Sequence, residues 1–393
     1  METLIYFDNA ATTYPKPECV YEAMDKVNRH LAVNAGRGSY RLAKKASSII
    51  EETRKNILKI AGAEEVAEVV LTPSATLACN QVLGGLNWKK GDVVYVTPYE
   101  HNAVMRVLYL LQQQYELEIE ELAVETENLR IDMEKVKYQF SKKSPNVVVV
   151  SHVSNVIGYI VPWEEIAKEA EKYGAVVVVD GSQGLGLVPV KLRNTAVDFY
   201  IFAGHKTLYG PLGVGGYINH RGKGLKHLLA GGTGSDSLNL EMPNTIDGYE
   251  PGSPNIIAVA GLLEATGEIL SQEMQGQRLV EEQELCGYLM EKLQQIPGVM
   301  LYPLNSGNDF AWKQRTGILA MNIEGYKAAD VGVILDEDYN IAVRTGYHCA
   351  PLLHKYLKDE DYAGVVRISL GRFHTKEEID YLVKAVEEIA MGW

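Results

Sequence analysis

The sequence predicts an α/β protein, with a mostly parallel sheet of the seven-stranded type in a large domain and a smaller α/β domain after it. Apolar runs that do not alternate, such as 147–151 and 175–180, are separated by segments of helical periodicity. Such runs are typical of parallel strands that helices cover on both faces. After Pro297-Gly298 the pattern becomes more varied. With 393 residues the chain is long enough for two domains.

The composition is that of a soluble globular protein, with 46% hydrophobic residues and a formal net charge of −13. An acidic balance argues against non-specific binding to nucleic acid or to anionic membranes. The N-terminus lacks the apolar core of a signal peptide, and no apolar run approaches the ~20 residues that span a bilayer. The four cysteines are scattered without a C-x-x-C pair, which argues against a disulfide framework. We therefore expect a cytoplasmic protein.

The large domain is predicted from a series of strand–helix units. An extended segment at 7–13 precedes helices at 17–27 and 42–60. Strands are then predicted at 69–72, 92–97, 119–124, 147–151, 175–180, 198–202 and 218–220, and further helices at 77–84, 102–111, 132–140 and 163–173.

The C-terminal part is predicted to form the smaller domain. Helices are expected at 256–270, 275–295, 328–335 and 376–391, and strands at 318–323 and 366–370. We predict domain boundaries of 15–258 for the large domain and 259–393 for the small one, which also takes the segment 1–14.

A lysine stands where the apolar strand 198–202 breaks into Ala203-Gly204-His205-Lys206. Burial lowers the pKa of a lysine amine and makes it a nucleophile suited to Schiff-base chemistry. A surface lysine in a turn is the alternative. Asp180, 26 positions earlier, ends another predicted parallel strand, where α/β sheets place their ligands.

A strand–turn–helix unit at Ser74-Ala75-Thr76 adds a possible anion site. Backbone N–H groups at a helix N-terminus and two hydroxyl groups can hold a phosphate, although a plain helix cap explains the same residues. A Schiff-base lysine, a carboxylate for a pyridine nitrogen and a phosphate turn with His205 are the requirements of pyridoxal 5′-phosphate (PLP).

Motifs along nearly the whole chain resemble the class V aminotransferase branch of the fold-type I PLP enzymes, and within it the group II cysteine desulfurases. The matching pieces are Asp8-Asn-Ala-Ala-Thr12, Arg37-Gly38, Glu100-His-Asn-Ala103, Ser154-Asn-Val-Ile-Gly158, Asp180-Gly-Ser-Gln183, Gly204-His-Lys206, Tyr209-Gly-Pro211, Gly252-Ser-Pro-Asn255, Arg344-Thr-Gly-Tyr-His-Cys-Ala-Pro351 and Arg367-Ile-Ser369. Each is weak alone, but their order and spacing are specific.

The resemblance implies a role for each matching residue. Lys206 would bind PLP and later move the substrate's Cα proton, while His101 would stack on the ring and act in proton transfer. The remaining cofactor contacts would come from Ala75, Thr76 and His205 at the phosphate, Asp180 at the pyridine nitrogen, Gln183 at the ring oxygen, Asn155, and Ser253 reaching the other subunit of a homodimer. Arg367, assisted by Arg344 and Asn155, would bind the substrate carboxylate.

Cys349 occupies the family's thiol position. A free cysteine is more often a small buried hydrophobic residue, which is how we interpret Cys79 and Cys286. The two flanking arginines favour a reactive thiolate at Cys349. His348, Cys349 and His354 could suggest a metal site, but three ligands on one loop without a partner cluster do not support one, and we predict no metal.

The resemblance implies conversion of L-cysteine to L-alanine, with the sulfur held on Cys349 as a persulfide for a sulfur-acceptor protein. Selenocysteine lyase acting on L-selenocysteine, another class V aminotransferase or C–S lyase, and a non-catalytic sulfur-relay scaffold remain alternatives. Ala203 and Ala75 stand where the family commonly has hydroxyl residues, and no glutamine precedes Pro351. These departures indicate a divergent subfamily.

Overall fold

The computed structural model describes residues 4–35, 38, 40–234, 238–271, 275–303 and 314–392. Arg37, part of one predicted motif, lies outside them. The strands are β1 Ile5–Tyr6, β2 Glu68–Thr72, β3 Val93–Val96, β4 Glu118–Glu121, β5 Val147–Ser151, β6 Val176–Asp180, β7 Phe199–Ala203, β8 Gly215–Asn219, β9 Val299–Tyr302, β10 Ile318–Ile323, β11 Ile341–Ala342, β12 Arg344–Gly346 and β13 Val365–Ser369. 

Helices cover the strands and follow the predicted order closely. They are α1 Glu18–His30, α2 Arg41–Ile60, α3 Ala75–Gly85, α4 Asn102–Tyr115, α5 Met133–Lys142, α6 Trp163–Glu171, α7 Ile246–Tyr249, α8 Ile256–Ser271, α9 Gln275–Leu293, α10 Ala328–Tyr339, α11 His354–Leu357 and α12 Lys376–Met391. None of the helices in the described ranges is both long and apolar enough to cross a membrane.

The large sheet has seven strands in the order β2-β8-β7-β6-β5-β3-β4. The five strands from β7 to β4 are parallel, and β8 pairs antiparallel with both β7 and β2. All five residues of β5 and of β7 are buried, as expected for strands covered on both faces. The predicted α/β class and the mostly parallel seven-stranded sheet are confirmed.

The second sheet is antiparallel, in the order β12-β13-β10-β9. Its apolar side chains share a core with those of α9, α10 and α12. The register sets Arg344 of β12 directly opposite Arg367 of β13. A third, two-stranded sheet pairs β1 with β11. The domain boundaries near residues 14 and 258 stay a prediction.

Two predicted strands differ from those observed. The predicted strand at 119–124 ends earlier, at Glu121, and Val124 instead forms an isolated bridge with Ile131. The strand predicted at 218–220 begins at Gly215, because glycine-rich backbone can still pair in full with β2 and β7.

Candidate active site

A cleft with a volume of about 230 Å³ opens at the carboxyl ends of the parallel strands. Ser151, Asp180 and Ala203, the last residues of β5, β6 and β7, line one side of it. Arg344 and Arg367 of the second sheet line another. The cleft therefore lies where the large sheet, the N-terminus of α3 and the second sheet meet, the usual ligand position of such sheets.

Lys206 lies in the cleft directly after β7, together with Asp180. Its carbonyl accepts a hydrogen bond from Tyr209 N at 2.7 Å, which closes the turn. Burial lowers the pKa of the Lys206 amine, and the nearby Asp180 carboxylate opposes that change. Asp180 Oδ1 accepts a hydrogen bond from Ser182 N at 3.0 Å, so its carboxylate is held in one orientation. The predicted lysine–carboxylate pair is thus brought together.

His101 caps the N-terminus of α4 and faces the same cleft. Its Nδ1 accepts a hydrogen bond from Ala103 N at 3.0 Å, so Nε2 carries the proton of the neutral ring. Burial, followed by the charge of Lys206, lowers the pKa of His101 to about 4. The ring is therefore a neutral donor at physiological pH.

The predicted phosphate turn lies at the start of α3. Ser74 is the N-cap, and its Oγ accepts a hydrogen bond from Leu77 N at 3.2 Å, so the helix-cap interpretation is correct for this residue. The first amides of the helix, at Ala75 and Thr76, have no intrahelical partner by position, and both residues line the cleft. His205 lines it too, and burial lowers its pKa to about 4. Ser74 can therefore cap the helix while the amides of Ala75 and Thr76 remain available to an anion.

Arg367 is almost fully buried and is held by two groups. Its Nη2 forms an ion pair with the Asp8 carboxylate, and its Nη1 donates to Asn155 O at 3.0 Å. Asn155 Nδ2 donates to His348 O at 2.8 Å, and Gln183 Nε2 donates to the Ala10 carbonyl at 2.7 Å.

Cys349 lies on the loop between β12 and α11 and is partly exposed. Arg344 Nη2 lies 3.9 Å from its Sγ, and Asn102 N donates to its carbonyl at 2.7 Å. The loop is anchored by His354, whose Nδ1 lies 2.5 Å from Asp359 Oδ2 and whose Nε2 lies 2.9 Å from Tyr347 O. Both ring nitrogens of His354 are therefore engaged by protein atoms.

Two predicted site residues do not line the cleft: Cys349, whose neighbour His348 does, and Ser253. Ser253 lies instead at a separate depression lined by residues 249–255, and its Oγ accepts a hydrogen bond from Asn34 Nδ2 at 3.3 Å. A serine that serves another subunit would lie outside its own chain's cleft. The role of Ser253, like those of the other site residues, stays a prediction.

Sequence reasoning did not assign a role to two residues that support the site. Asp8 pairs with Arg367, and Glu100 is buried between β3 and β5, where its carboxylate accepts hydrogen bonds from Thr97 Oγ1 and Ser151 N at 2.5 and 2.7 Å. Burial raises the pKa of Glu100 to about 8. Both residues belong to motifs quoted above, and membership of those motifs could have pointed to them. Cys79, interpreted as a buried hydrophobic residue, is buried but also lines the cleft.

The residues present fit PLP. The desolvated Lys206 amine, the fixed Asp180 carboxylate and a helix N-terminus with His205 suit, in chemical type, the aldehyde, the ring nitrogen and the phosphate of PLP. The Nδ1 atom of His205 is buried and has no hydrogen-bond partner among the described residues. A phosphate oxygen would satisfy such an atom.

The fold and the cleft define an α/β protein with a partly buried lysine at the carboxyl ends of its parallel strands. The family described as "Aminotransferase class-V" matches residues 5–382 of the sequence. The chain belongs to this family, and its predicted resemblance to the cysteine desulfurases is confirmed.

Three relatives illustrate that resemblance. A probable cysteine desulfurase of Halalkalibacterium halodurans is 31% identical over 98% of this chain and 93% of its own length. One from Pyrococcus abyssi is 32% identical over 99% of this chain and 94% of its own. The apo structure of a cysteine desulfurase from Thermococcus onnurineus NA1 superposes with a TM-score of 0.89 at 31% identity, covering 99% of this chain and 95% of that one.

Proposed function

We propose that this protein is a PLP-dependent cysteine desulfurase that converts L-cysteine to L-alanine and holds the sulfur on Cys349. One observation carries the proposal: the cleft with Lys206 and Asp180 lies beside a loop thiol that an arginine contacts at 3.9 Å. An aminotransferase has no use for that thiol, whereas a desulfurase needs a nucleophile there.

PLP would be held by residues that line the cleft: Lys206, Asp180, His101, His205, Ala75 and Thr76, with further polar contacts from Asn155 and Gln183. When bound, PLP supplies an electron sink that makes the substrate's Cα proton acidic and its C–S bond breakable. Lys206 Nζ, whose pKa burial lowers, would take the Cα proton. His101 Nε2–H would donate a hydrogen bond to the reacting groups in the cleft.

Arginines would place the substrate carboxylate. Arg367 is fixed by Asp8 and Asn155, and its Nε is buried without a hydrogen-bond partner among the described residues. Arg344 lies opposite it on the neighbouring strand. Together they offer cationic donors on one wall, while Asp180 lies across the cleft.

Cys349 would take the sulfur. Its thiolate attacks the substrate sulfur, an S–S bond forms, and the bond between that sulfur and the substrate's Cβ breaks. The electron pair of the broken bond stays with carbon, Cβ takes up a proton, and alanine leaves. The sulfur remains on Cys349 as a persulfide for a sulfur-acceptor protein.

The test is incubation with L-cysteine while alanine, sulfide and the mass of Cys349 are followed together. We expect alanine, sulfide in the presence of a reductant, and a 32 Da mass increase at Cys349. Cys349→Ala should keep the visible absorption of bound PLP and lose sulfide release, whereas Lys206→Ala should lose the absorption band. Sulfide release by Cys349→Ala at the native rate would contradict the persulfide route. A parallel assay with L-selenocysteine separates the desulfurase from a selenocysteine lyase.

We also propose a cytoplasmic homodimer in which Ser253 contacts the phosphate bound to the other subunit. The position of Ser253 outside its own chain's cleft supports this arrangement. Light scattering gives the oligomeric state. Mixing Ser253→Ala chains with Lys206→Ala chains tests whether a mixed dimer restores a wild-type cleft.

A further inference from the structure

Lys16, between Pro15 and Pro17, sends its side chain toward the turn that carries Lys206. Its Nζ donates to Thr13 Oγ1 at 2.7 Å and to the His205 carbonyl at 2.9 Å, and it lies 3.4 Å from Thr12 Oγ1. The His205 carbonyl also accepts from Thr13 N at 3.1 Å. The N-terminal segment therefore converges on the peptide bond directly before Lys206.

This ammonium group has neutral partners only. Its hydrogen bonds go to hydroxyl and carbonyl oxygens, and none of the ion pairs among the described residues includes Lys16. Burial alone lowers the pKa of Lys16 to about 8. A half-buried cation without a counter-ion is costly, so an anion that binds nearby would be favoured by its charge.

The cleft side of the same turn is where such an anion would bind. The His205 side chain lines the cleft, and the Lys16 charge is among the causes, after burial and Lys206, that lower its pKa. Residues 75 and 203, which also line this part, are alanines and offer no hydroxyl group. Because these two residues supply no hydroxyl donor, the positive charge of Lys16 behind His205 would favour an anion here.

We propose that Lys16 is a positioning residue for a phosphate ester. It fixes the His205–Lys206 peptide and supplies a positive charge directly behind His205, which lines the cleft together with Ala75 and Thr76. The inference rests on the proposed function for the identity of the phosphate ester as PLP, and it concerns a residue that contacts the turn, not the substrate.

The proposal has a definite pH dependence. Ionisable groups near Lys16 are His205 and Lys206 of the turn, and Tyr21 of α1, whose hydroxyl accepts a hydrogen bond from Lys16 N at 2.9 Å. Without ligand, Lys16 loses its proton near pH 8, and a bound dianion favours the protonated form. Affinity for the phosphate ester should therefore fall as the pH rises through 8, and binding above pH 8 should take up a proton.

The experiment uses the apo form of the full chain with pyridoxine 5′-phosphate, which has no aldehyde to bond with Lys206, and with pyridoxine, which lacks the phosphate. We compare Lys16→Met, Lys16→Arg and, as a control on an exposed lysine, Lys26→Met by titration calorimetry at pH 7 and 9. Lys16→Met should weaken binding of the phosphate ester about tenfold at pH 7, the size expected for loss of one partly screened opposite charge. Pyridoxine binding should stay unchanged.

The controls define what would overturn the proposal. Lys16→Arg and Lys26→Met should bind both ligands like the wild type, and Lys16→Arg should lose the decline between pH 7 and 9. Equal weakening of both ligands by Lys16→Met would show a purely structural role and overturn the proposal, as would no weakening at all. Circular dichroism checks the fold, and Lys16→Gln, neutral but still a donor, replaces Lys16→Met if the latter is misfolded.

These outcomes are separate from the proposed function. If the phosphate ester binds with the predicted dependence on Lys16 but L-cysteine yields no alanine, the desulfurase activity fails and the inference stands. If the wild-type apo protein binds no pyridoxine 5′-phosphate, the inference fails, while alanine formation from L-cysteine still decides the proposed function.

Discussion

Replacement of Asp8 by asparagine should destabilise the protein through a residue near the opposite end of the chain. Arg367, the ion-pair partner of Asp8, has a side chain that is 1% exposed, and that of Asp8 is 20% exposed. The amide keeps the shape and one hydrogen-bond acceptor but removes the negative charge. Arg367 would then remain buried as a cation without a carboxylate, because its pKa is too high for deprotonation to relieve the cost.

The size of the effect follows from that burial. Breaking a fully buried pair costs about 3–5 kcal/mol, and breaking an exposed pair costs about 0–1 kcal/mol. Because one partner is buried and the other is partly exposed, and because the amide oxygen still accepts a hydrogen bond, we expect a loss of about 2 kcal/mol. The same change should raise the Michaelis constant for L-cysteine, since Arg367 is less firmly placed.

Urea unfolding of the apo protein, followed by circular dichroism, measures the change without a contribution from bound cofactor. Asp25→Asn is the matched control: its pair with Arg29 has the same charges, but the side chains are 60% and 67% exposed. That variant should lose far less stability than Asp8→Asn, because solvent screens the exposed pair. Equal losses in the two variants, or a loss below about 0.5 kcal/mol in Asp8→Asn, would refute the reasoning.

Three further changes have defined outcomes. Burial raises the pKa of Glu282 to about 8, so the folded protein keeps a proton that the unfolded chain releases near pH 4.5. The free energy of unfolding should therefore fall as the pH rises from 4.5 to 8. In urea titrations, Glu282→Gln should make this dependence on pH weaker. Tyr200→Phe leaves buried His152 Nδ1 without its 2.7 Å partner and should cost about 1–3 kcal/mol in the same assay. His354→Ala removes the loop anchor at a local cost of about 2 kcal/mol and should speed alkylation of Cys349 by iodoacetamide.

The large sheet was predictable because its strands carry their own signal. Runs such as Val147–Ser151 are buried on every residue, and no pattern except a covered parallel strand explains them well. The two- and three-residue strands β1, β11 and β12 carry no such signal. Ile5–Tyr6 is a strand only because it pairs with Ile341–Ala342, more than three hundred positions away.

The site likewise contains residues that the sequence alone could identify and residues that it could not. Lys206 and Asp180 were found from their positions at the ends of predicted strands and Arg344 by resemblance, and all three line one cleft in the structure. Nothing in the sequence singled out Lys16, because a lysine between two prolines is typical of an exposed turn. Its hydrogen-bond acceptor, the His205 carbonyl, lies 189 positions away in the sequence. Burial and partners of single polar residues are set by tertiary contacts, which local sequence does not encode.

The N-terminal segment has a consequence for how the protein is made. Residues 5–16 are translated well before their partners, because Asp8 contacts Arg367 across 359 positions and Lys16 contacts His205 across 189. This segment therefore reaches its final contacts only after those partners have been made, and the cleft is complete only when the second sheet has been translated. A nascent chain stalled before β13 would carry Lys206 and Asp180 without Arg367, so one side of the cleft would still be unformed.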